Sequence, residues 1–322
     1  MHGMSTRAGA SAPRDAPREG QTFGGQSLLA RYASFVRLPH TLFALPFAGL
    51  GAVLASHRPD AAVGAGTVLW IVIAFTAARF AAMGFNRIID ERFDALNPRT
   101  RGRELPSGRL TRRQASVAVT IAALLFVLAA FRLNPLCGLL APAALAWVFF
   151  YSYTKRFTAW AHHVLGFALG IAPVGGYLAV AGQWSDPWHA LPVLAVAVTF
   201  WVAGFDIIYA IQDVEFDRSI GLHSLAVHSG PQGAIALARG FHAIAVVLFL
   251  GIGLSRLFPV GPLYLAGVAL MAILLVYGNT TARRAAAHGL DLRTIDVAFF
   301  RTNVAVSMGL FAFTLADRLV AG

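Results

Sequence analysis

The chain has 322 residues, of which 57% are hydrophobic and 13% charged, with a mean hydropathy of +0.64. Soluble domains carry about 25% charged residues, so a water-soluble globule is excluded and a polytopic membrane protein is indicated. The formal charge of +11 does not indicate a nucleic-acid partner, because the basic residues gather in loops between apolar runs, as membrane topology requires.

Residues 1–27 are rich in Gly, Pro, Ala and Arg with no apolar core of a signal peptide, which predicts a disordered tail before a transmembrane domain over 28–322. Ser34-Phe35-Val36-Arg37-Leu38-Pro39-His40 leads into a first span near 39–56. A second, near 65–94, ends in Asn86-Arg87-Ile88-Ile89-Asp90-Glu91-Arg92-Phe93-Asp94. A polar loop follows from Ala95 to Arg113, and then spans three and four, near 112–131 and 135–154, broken by Asn134-Pro135. The single cysteine, Cys137, lies in span four, which excludes an intrachain disulfide and a thiolate metal cluster. Span five, near 160–181, is glycine-rich around Gly170, Gly175 and Gly176, which suits close helix packing. Span six, near 188–212, is followed by a loop from Val214 to Gly230. Spans near 233–254, 261–280 and 296–320 complete nine, each of a length that crosses a bilayer as a helix.

Asn86, Asp90 and Asp94 fall at i, i+4 and i+8, so a helix puts them on one face. Asp213 and Asp217 repeat the spacing, and Asp206 lies two turns earlier on nearly the same face. Seven of the chain's 15 acids sit in these two windows, both at the ends of apolar spans. Carboxylates gathered there repel one another unless something positive lies between them, and Mg²⁺ takes one or two carboxylates together with substrate phosphates. The loops after spans two, four, six and eight hold twelve basic residues, from Arg99 to Arg293, against four (Arg58, Arg132, Arg256 and Arg318) on the other side. The positive-inside rule then predicts a cytoplasmic N-terminus, with both acidic faces and Lys155-Arg156 at the cytoplasmic boundary of the inner membrane.

Two acidic faces across a cavity, beside lysine and arginine, suit a diphosphate held through metal. A soluble diphosphate does not need nine apolar spans, whereas one with a lipid tail needs an apolar tunnel. A helix-end acid also has a plainer reading as a solvated or ion-paired group, and Lys155, Arg156 and Arg37 as topology anchors. Asp206 has two readings, an active-site role or a hydrogen bond to a neighbouring helix. Arg79 and Arg301, within spans, are read as internally paired or snorkelling. The histidines show no metal-ligand spacing, and adjacent His162 and His163 point different ways. A secondary transporter also shows intramembrane charge and internal repeats, but near the middle of its spans, whereas these acids sit at one end.

Asn86-x-x-x-Asp90-x-x-x-Asp94, Tyr151-x-x-x-Lys155 and Asp213-x-x-x-Asp217, in that order on nine spans, resemble the UbiA family of intramembrane prenyltransferases. The stretch from Phe205 to Ser224 resembles its 4-hydroxybenzoate polyprenyltransferase branch, including members in menaquinone pathways. The resemblance implies an all-α fold of about nine transmembrane helices around a central cavity. It implies Mg²⁺-dependent transfer of a polyprenyl group from polyprenyl diphosphate to a ring carbon of a small aromatic acid in quinone biosynthesis, with a naphthoate or a porphyrin as alternative acceptors. Asn86, Asp90 and Asp94 map to one metal–diphosphate site, and Asp213 and Asp217 to the other. Lys155 and Arg156 would grip the diphosphate, and Tyr151 and Asp206 would line the substrate site. Arg37 would meet the acceptor's carboxylate.

Overall fold

The structure, a computed structural model, describes residues 27–58, 61, 63–287 and 292–320, without the side chains of 38–43 and 292–299. The tail expected over 1–27 lies outside the described residues except for Ser27. Among the described residues every regular element is a helix. In chain order these are α1 (Leu28–Phe35), α2 (Leu38–Ala55), α3 (Ala65–Leu96), α4 (Arg112–Leu133), α5 (Pro135–Thr154) and α6 (Ala161–Ala181). They continue with α7 (Ala190–Ala210), a 3₁₀ turn (Ile211–Asp213), α8 (Val214–Ser219), α9 (Leu225–Leu254), α10 (Pro262–Ala287) and α11 (Leu292–Val320). Eight of the long helices have the length and apolarity to cross a bilayer, and α2 supplies the ninth, its described apolar part running over Ala44–Ala55. The nine-span expectation agrees with this layout.

Local chemistry sets the helix starts. Thr111 and Gln114 form a reciprocal capping box at the head of α4, each side chain bonding the other's backbone N–H. Asn134 caps α5 by accepting the Cys137 N–H at 2.9 Å, and Pro135 follows at a first-turn position where its missing donor is harmless. Ser224 caps α9 through the Val227 N–H at 3.0 Å. That cap explains why α9 starts inside the stretch expected as loop. The helix then kinks at Gly230, whose φ of 68° only glycine adopts freely, just before Pro231. Helix α1, which the sequence does not announce, is likewise capped by Ser27 and separated from α2 by Arg37 at φ 45°. Its Phe35 packs with Ile88, Leu105 and Leu110, so α1 braces the loop after α3.

Helix α7 is buried on nearly all sides, as suits the centre of a bundle. It packs against α6 and α9, while α10, α11 and α2 close the ring around it. Trp201 of α7 is fully buried, its ring 4.6 Å from Phe47 of α2 and 4.9 Å from Phe205. Helices α3, α4 and α5 form a second group, joined to the first through α6 and α2. The C-terminal ends of α3, α5 and α7 meet at one end of the bundle, which gathers the polar residues of three separate spans.

Candidate active site

The last turns of α3 present Asn86, Asp90 and Asp94 in line, as the i, i+4, i+8 spacing predicts. Asn86 Nδ2 donates to Asp90 Oδ2 at 2.9 Å. Asp94 is buried, and Arg103 Nη1 donates to both its oxygens at 2.7 and 2.9 Å. On the facing side α7 tightens into the 3₁₀ turn before α8, so Asp213 and Asp217 do not lie on one continuous α-helix. Both are nevertheless buried against the same space. Asp213 receives Arg99 through Nε at 2.9 Å and Nη2 at 2.5 Å, and Asn97 Nδ2 at 3.0 Å. Lys155 Nζ stands 3.9 Å from Asp217 Oδ2, a buried oxygen with no hydrogen-bond donor. Burial alone would lower the Lys155 ammonium. Asp217, with Asp213 and Asp206 behind it, outweighs that and holds it above the ordinary lysine range. Arg156 lies 3.7 Å from Asp90, donates to the Ile89 carbonyl at 3.0 Å, and stacks over the rings of Phe93 and Tyr153.

These groups line a polar chamber of about 170 Å³. Beside it lies an apolar chamber of about 380 Å³, walled by α2 to α7 with Phe47, Phe75, Met83, Leu145 and Leu169 among its surfaces. Asn86, Tyr151, Asp206 and Tyr209 line both chambers and form the wall between them. Arg37 faces the apolar chamber and donates to the Tyr209 hydroxyl at 3.2 Å, which also accepts from Arg99 Nη1 at 3.2 Å. Every residue assigned from the sequence thus comes to one of the two chambers.

Asp206 combines a place at the chambers with a contact to a neighbouring helix. It lines the shared wall, and its Oδ2 lies 2.7 Å from His162 Nδ1 on α6. The sequence reading passed over four other groups. Asn97, Arg99 and Arg103 read only as loop polarity, although a cation cluster directly behind an acidic face was the available signal. His162 has no metal-ligand spacing in the sequence, yet a histidine and an aspartate on two apolar spans are natural partners. Arg79, read as structural, lines the apolar chamber, as does Arg87. His223 and His228 line neither chamber; the His223 backbone N–H donates to the Lys155 carbonyl at 2.8 Å.

The donor set fits a hard divalent cation. Five carboxylates, of Asp90, Asp94, Asp206, Asp213 and Asp217, and the amides of Asn86 and Asn97 line one chamber, and the Asp217 Oδ2 atom has no donor of its own. Among the described residues no group of three His, Cys, Asp or Glu side chains is placed to hold a metal ion by itself, so a cation there would need further ligands such as phosphate oxygens or water.

Fold and site together define a polytopic helical membrane enzyme with a carboxylate-lined chamber opening onto an apolar one. The family model for the UbiA prenyltransferase family matches residues 44–303. A 4-hydroxybenzoate octaprenyltransferase from Methylobacillus flagellatus is 30% identical over 253 residues, 77% of this chain and 81% of that one. The apo structure of a UbiA homologue from Aeropyrum pernix K1 superposes with a TM-score of 0.75 at 32% identity, covering 86% of this chain and 98% of that one. A UbiA homologue from Archaeoglobus fulgidus, bound to GPP and Mg²⁺, shares the fold with a TM-score of 0.64 at 20% identity, covering 90% of this chain and 99% of that one. The chain belongs to the UbiA prenyltransferase family, as an enzyme like the 4-hydroxybenzoate polyprenyltransferases.

Proposed function

We propose that the protein transfers a polyprenyl group from polyprenyl diphosphate to a ring carbon of a 4-hydroxybenzoate-like aromatic acid, with Mg²⁺, in quinone biosynthesis. The observation that carries this reading is the single wall shared by a charged chamber and an apolar one. A molecule with an anionic head and a hydrocarbon tail satisfies both at once. Asn86, Asp90, Asp94, Asp213 and Asp217 would hold Mg²⁺ in the polar chamber. Bound there, the metal would neutralise the diphosphate and ease its departure. Lys155 and Arg156 hold fixed positive charge at the same place, where the leaving group's charge develops. Tyr151 and Tyr209 put electron-rich rings at the wall, beside the carbon that becomes cationic. The apolar walls exclude water that would otherwise capture that carbon.

The acceptor's carboxylate needs a cation on the apolar side. Arg37 is one candidate, and Arg79, which lines the same chamber from α3, is a second. The name of the Methylobacillus relative supports an aromatic-acid acceptor, and the GPP and Mg²⁺ in the Archaeoglobus structure support the donor and metal. The charge asymmetry of the loops supports an inner-membrane protein whose N-terminus and active-site loops face the cytoplasm.

The test is prenyl transfer by the purified protein in lipid nanodiscs, with a panel of hydroxybenzoates and naphthoates and polyprenyl diphosphates of several lengths. EDTA should abolish transfer and Mg²⁺ restore it. Asp90→Ala and Asp213→Ala should each lose activity by orders of magnitude while still inserting. Full turnover without divalent metal, or near-normal rates in both variants, would overturn the assignment.

A further inference from the structure

The wall between the chambers locates the reacting carbon. On the reading just proposed, the diphosphate lies on one side and the tail on the other, so the prenyl carbon bonded to oxygen sits against Asn86, Tyr151, Asp206 and Tyr209. Asp206 is the one carboxylate among the four. The other acids line the polar chamber alone, where Asp94 and Asp213 are each held by an arginine.

Asp206 is also held from behind. Its Oδ2 is engaged by His162 Nδ1 at 2.7 Å, and its other oxygen makes no hydrogen bond among the described residues. The side chain of His162 is fully buried, that of Asp206 17% exposed. His162 lines neither chamber, so it reaches a substrate only through Asp206. A carboxylate partner at Nδ1 fixes the tautomer with the proton on that nitrogen. His162 Nε2 has no hydrogen-bond partner, so the imidazole's polar engagement is with Asp206. The two helices that carry the pair are locked together one turn further on, where a Cβ on Gly166 would collide with the Thr199 carbonyl oxygen. The histidine therefore has little freedom to leave.

We propose that Asp206 takes the ring proton released by the acceptor, and that His162 is the positioning residue that aims it. The acceptor ring's π pair forms the new bond to the prenyl carbon, whose bond to oxygen breaks with its electron pair leaving on the diphosphate. The ring C–H bond then breaks. Its electron pair restores aromaticity, and its proton passes to the free oxygen of Asp206, which returns it to water through the polar chamber. Holding one carboxylate oxygen on His162 points the other at the wall, where this proton appears. An unheld carboxylate would sample rotamers that swing it toward Lys155.

The experiment compares kcat for an acceptor carrying hydrogen or deuterium at the prenylated ring position. The unaltered protein, with proton loss fast, should show little isotope effect. His162→Leu should lower kcat roughly 10- to 100-fold by misplacing the base, keep KM for the polyprenyl diphosphate, and expose a primary isotope effect. His162→Asn, whose Nδ2 can replace Nδ1 as donor, should restore most of the rate. Asp206→Asn should lose about 10²–10⁴ in kcat, and His162→Leu should add little to it. A His162→Leu variant with unchanged kcat, or one slowed without an isotope effect, reduces the pair to a helix–helix tether and overturns the proposal. So does Asp206→Asn at the normal rate. Absence of any prenylated product from the unaltered protein instead overturns the function on which the proposal rests, and the proposal with it.

Discussion

Asp94 and Asp213 are buried carboxylates that each hold an arginine by two contacts, both from the loop after α3. Removing one partner of such a pair strands a buried charge, which costs about 3–5 kcal/mol. Mg²⁺ at the carboxylate would relieve that cost. Arg99→Ala should therefore melt well below the unaltered protein in EDTA, with Mg²⁺ recovering much of the gap. Thermal unfolding in detergent measures this, and an equal deficit with and without Mg²⁺ would count against metal at Asp213. Arg37 and Arg79, the two candidates for the acceptor's carboxylate, make a second contrast. Loss of one charge-assisted pair is worth roughly 1.5–3 kcal/mol, about one to two decades in affinity. The arginine that meets the acceptor's carboxylate should, as the Ala variant, raise KM for the aromatic acid far more than for the diphosphate. Arg37→Ala and Arg79→Ala assayed side by side decide between them, and equal effects on both substrates would remove both from that role. At this scale the acids were legible because ionisable groups are rare near apolar spans and their spacing repeats a helical turn. The partners were not. Arg99 reaches Asp213 across 114 residues of sequence, and arginines in a positive-inside loop all look alike until the loop is folded.

Helices α2 and α6 cross so closely that a Cβ on Gly51 would strike the Pro173 carbonyl and one on Gly176 the Ala48 carbonyl. Backbone on the far side of a contact cannot rotate away. Gly176→Ala should therefore destabilise the bundle by about 1–3 kcal/mol through overpacking, seen as a lower midpoint of thermal unfolding. Its neighbour Gly175 faces the apolar chamber with nothing within 4 Å, so Gly175→Ala should leave that midpoint unchanged. If both variants melt alike, the close crossing of α2 and α6 does not limit the size of residue 176. The sequence marked Gly170, Gly175 and Gly176 together as packing glycines, but composition does not say which face of α6 meets a partner. Span positions were readable for the same reason that detail was not: hydropathy reports length and burial in lipid, not rotation about the helix axis. The start of α9 was missed because Gly230-Pro231 read as the end of a loop, whereas the capping Ser224 lies upstream of it.

The whole bundle has a polar end and a clamped end. At the end away from the site, Asp317 of α11 accepts the backbone N–H groups of Gly261 and Leu263 at the head of α10, and Arg318 reaches the Ser56 carbonyl of α2. Orientation is the property to test here. In a background where Cys137 is replaced by alanine, a membrane-impermeant thiol reagent should label Ser107→Cys from the cytoplasmic side and Gln183→Cys from the outside. Both positions are exposed. The reverse pattern would move the active-site mouth to the other face. The nine spans were readable from hydropathy and the grouping of charge at one end from loop composition, whereas the division of the interior into two chambers needed the helices in place.

A partition that faces water on one side and hydrocarbon on the other also sorts what it helps to make. Free diphosphate has no favourable place among Phe47, Met83 and Leu169, and a long prenyl chain has none among Asp90, Asp213 and Arg99. On the function proposed above, the two products of a turnover would leave to different phases, one to the aqueous loops and the other to the bilayer. Once separated they would rarely meet again at the wall where they would have to recombine, so partitioning would hinder the reverse reaction.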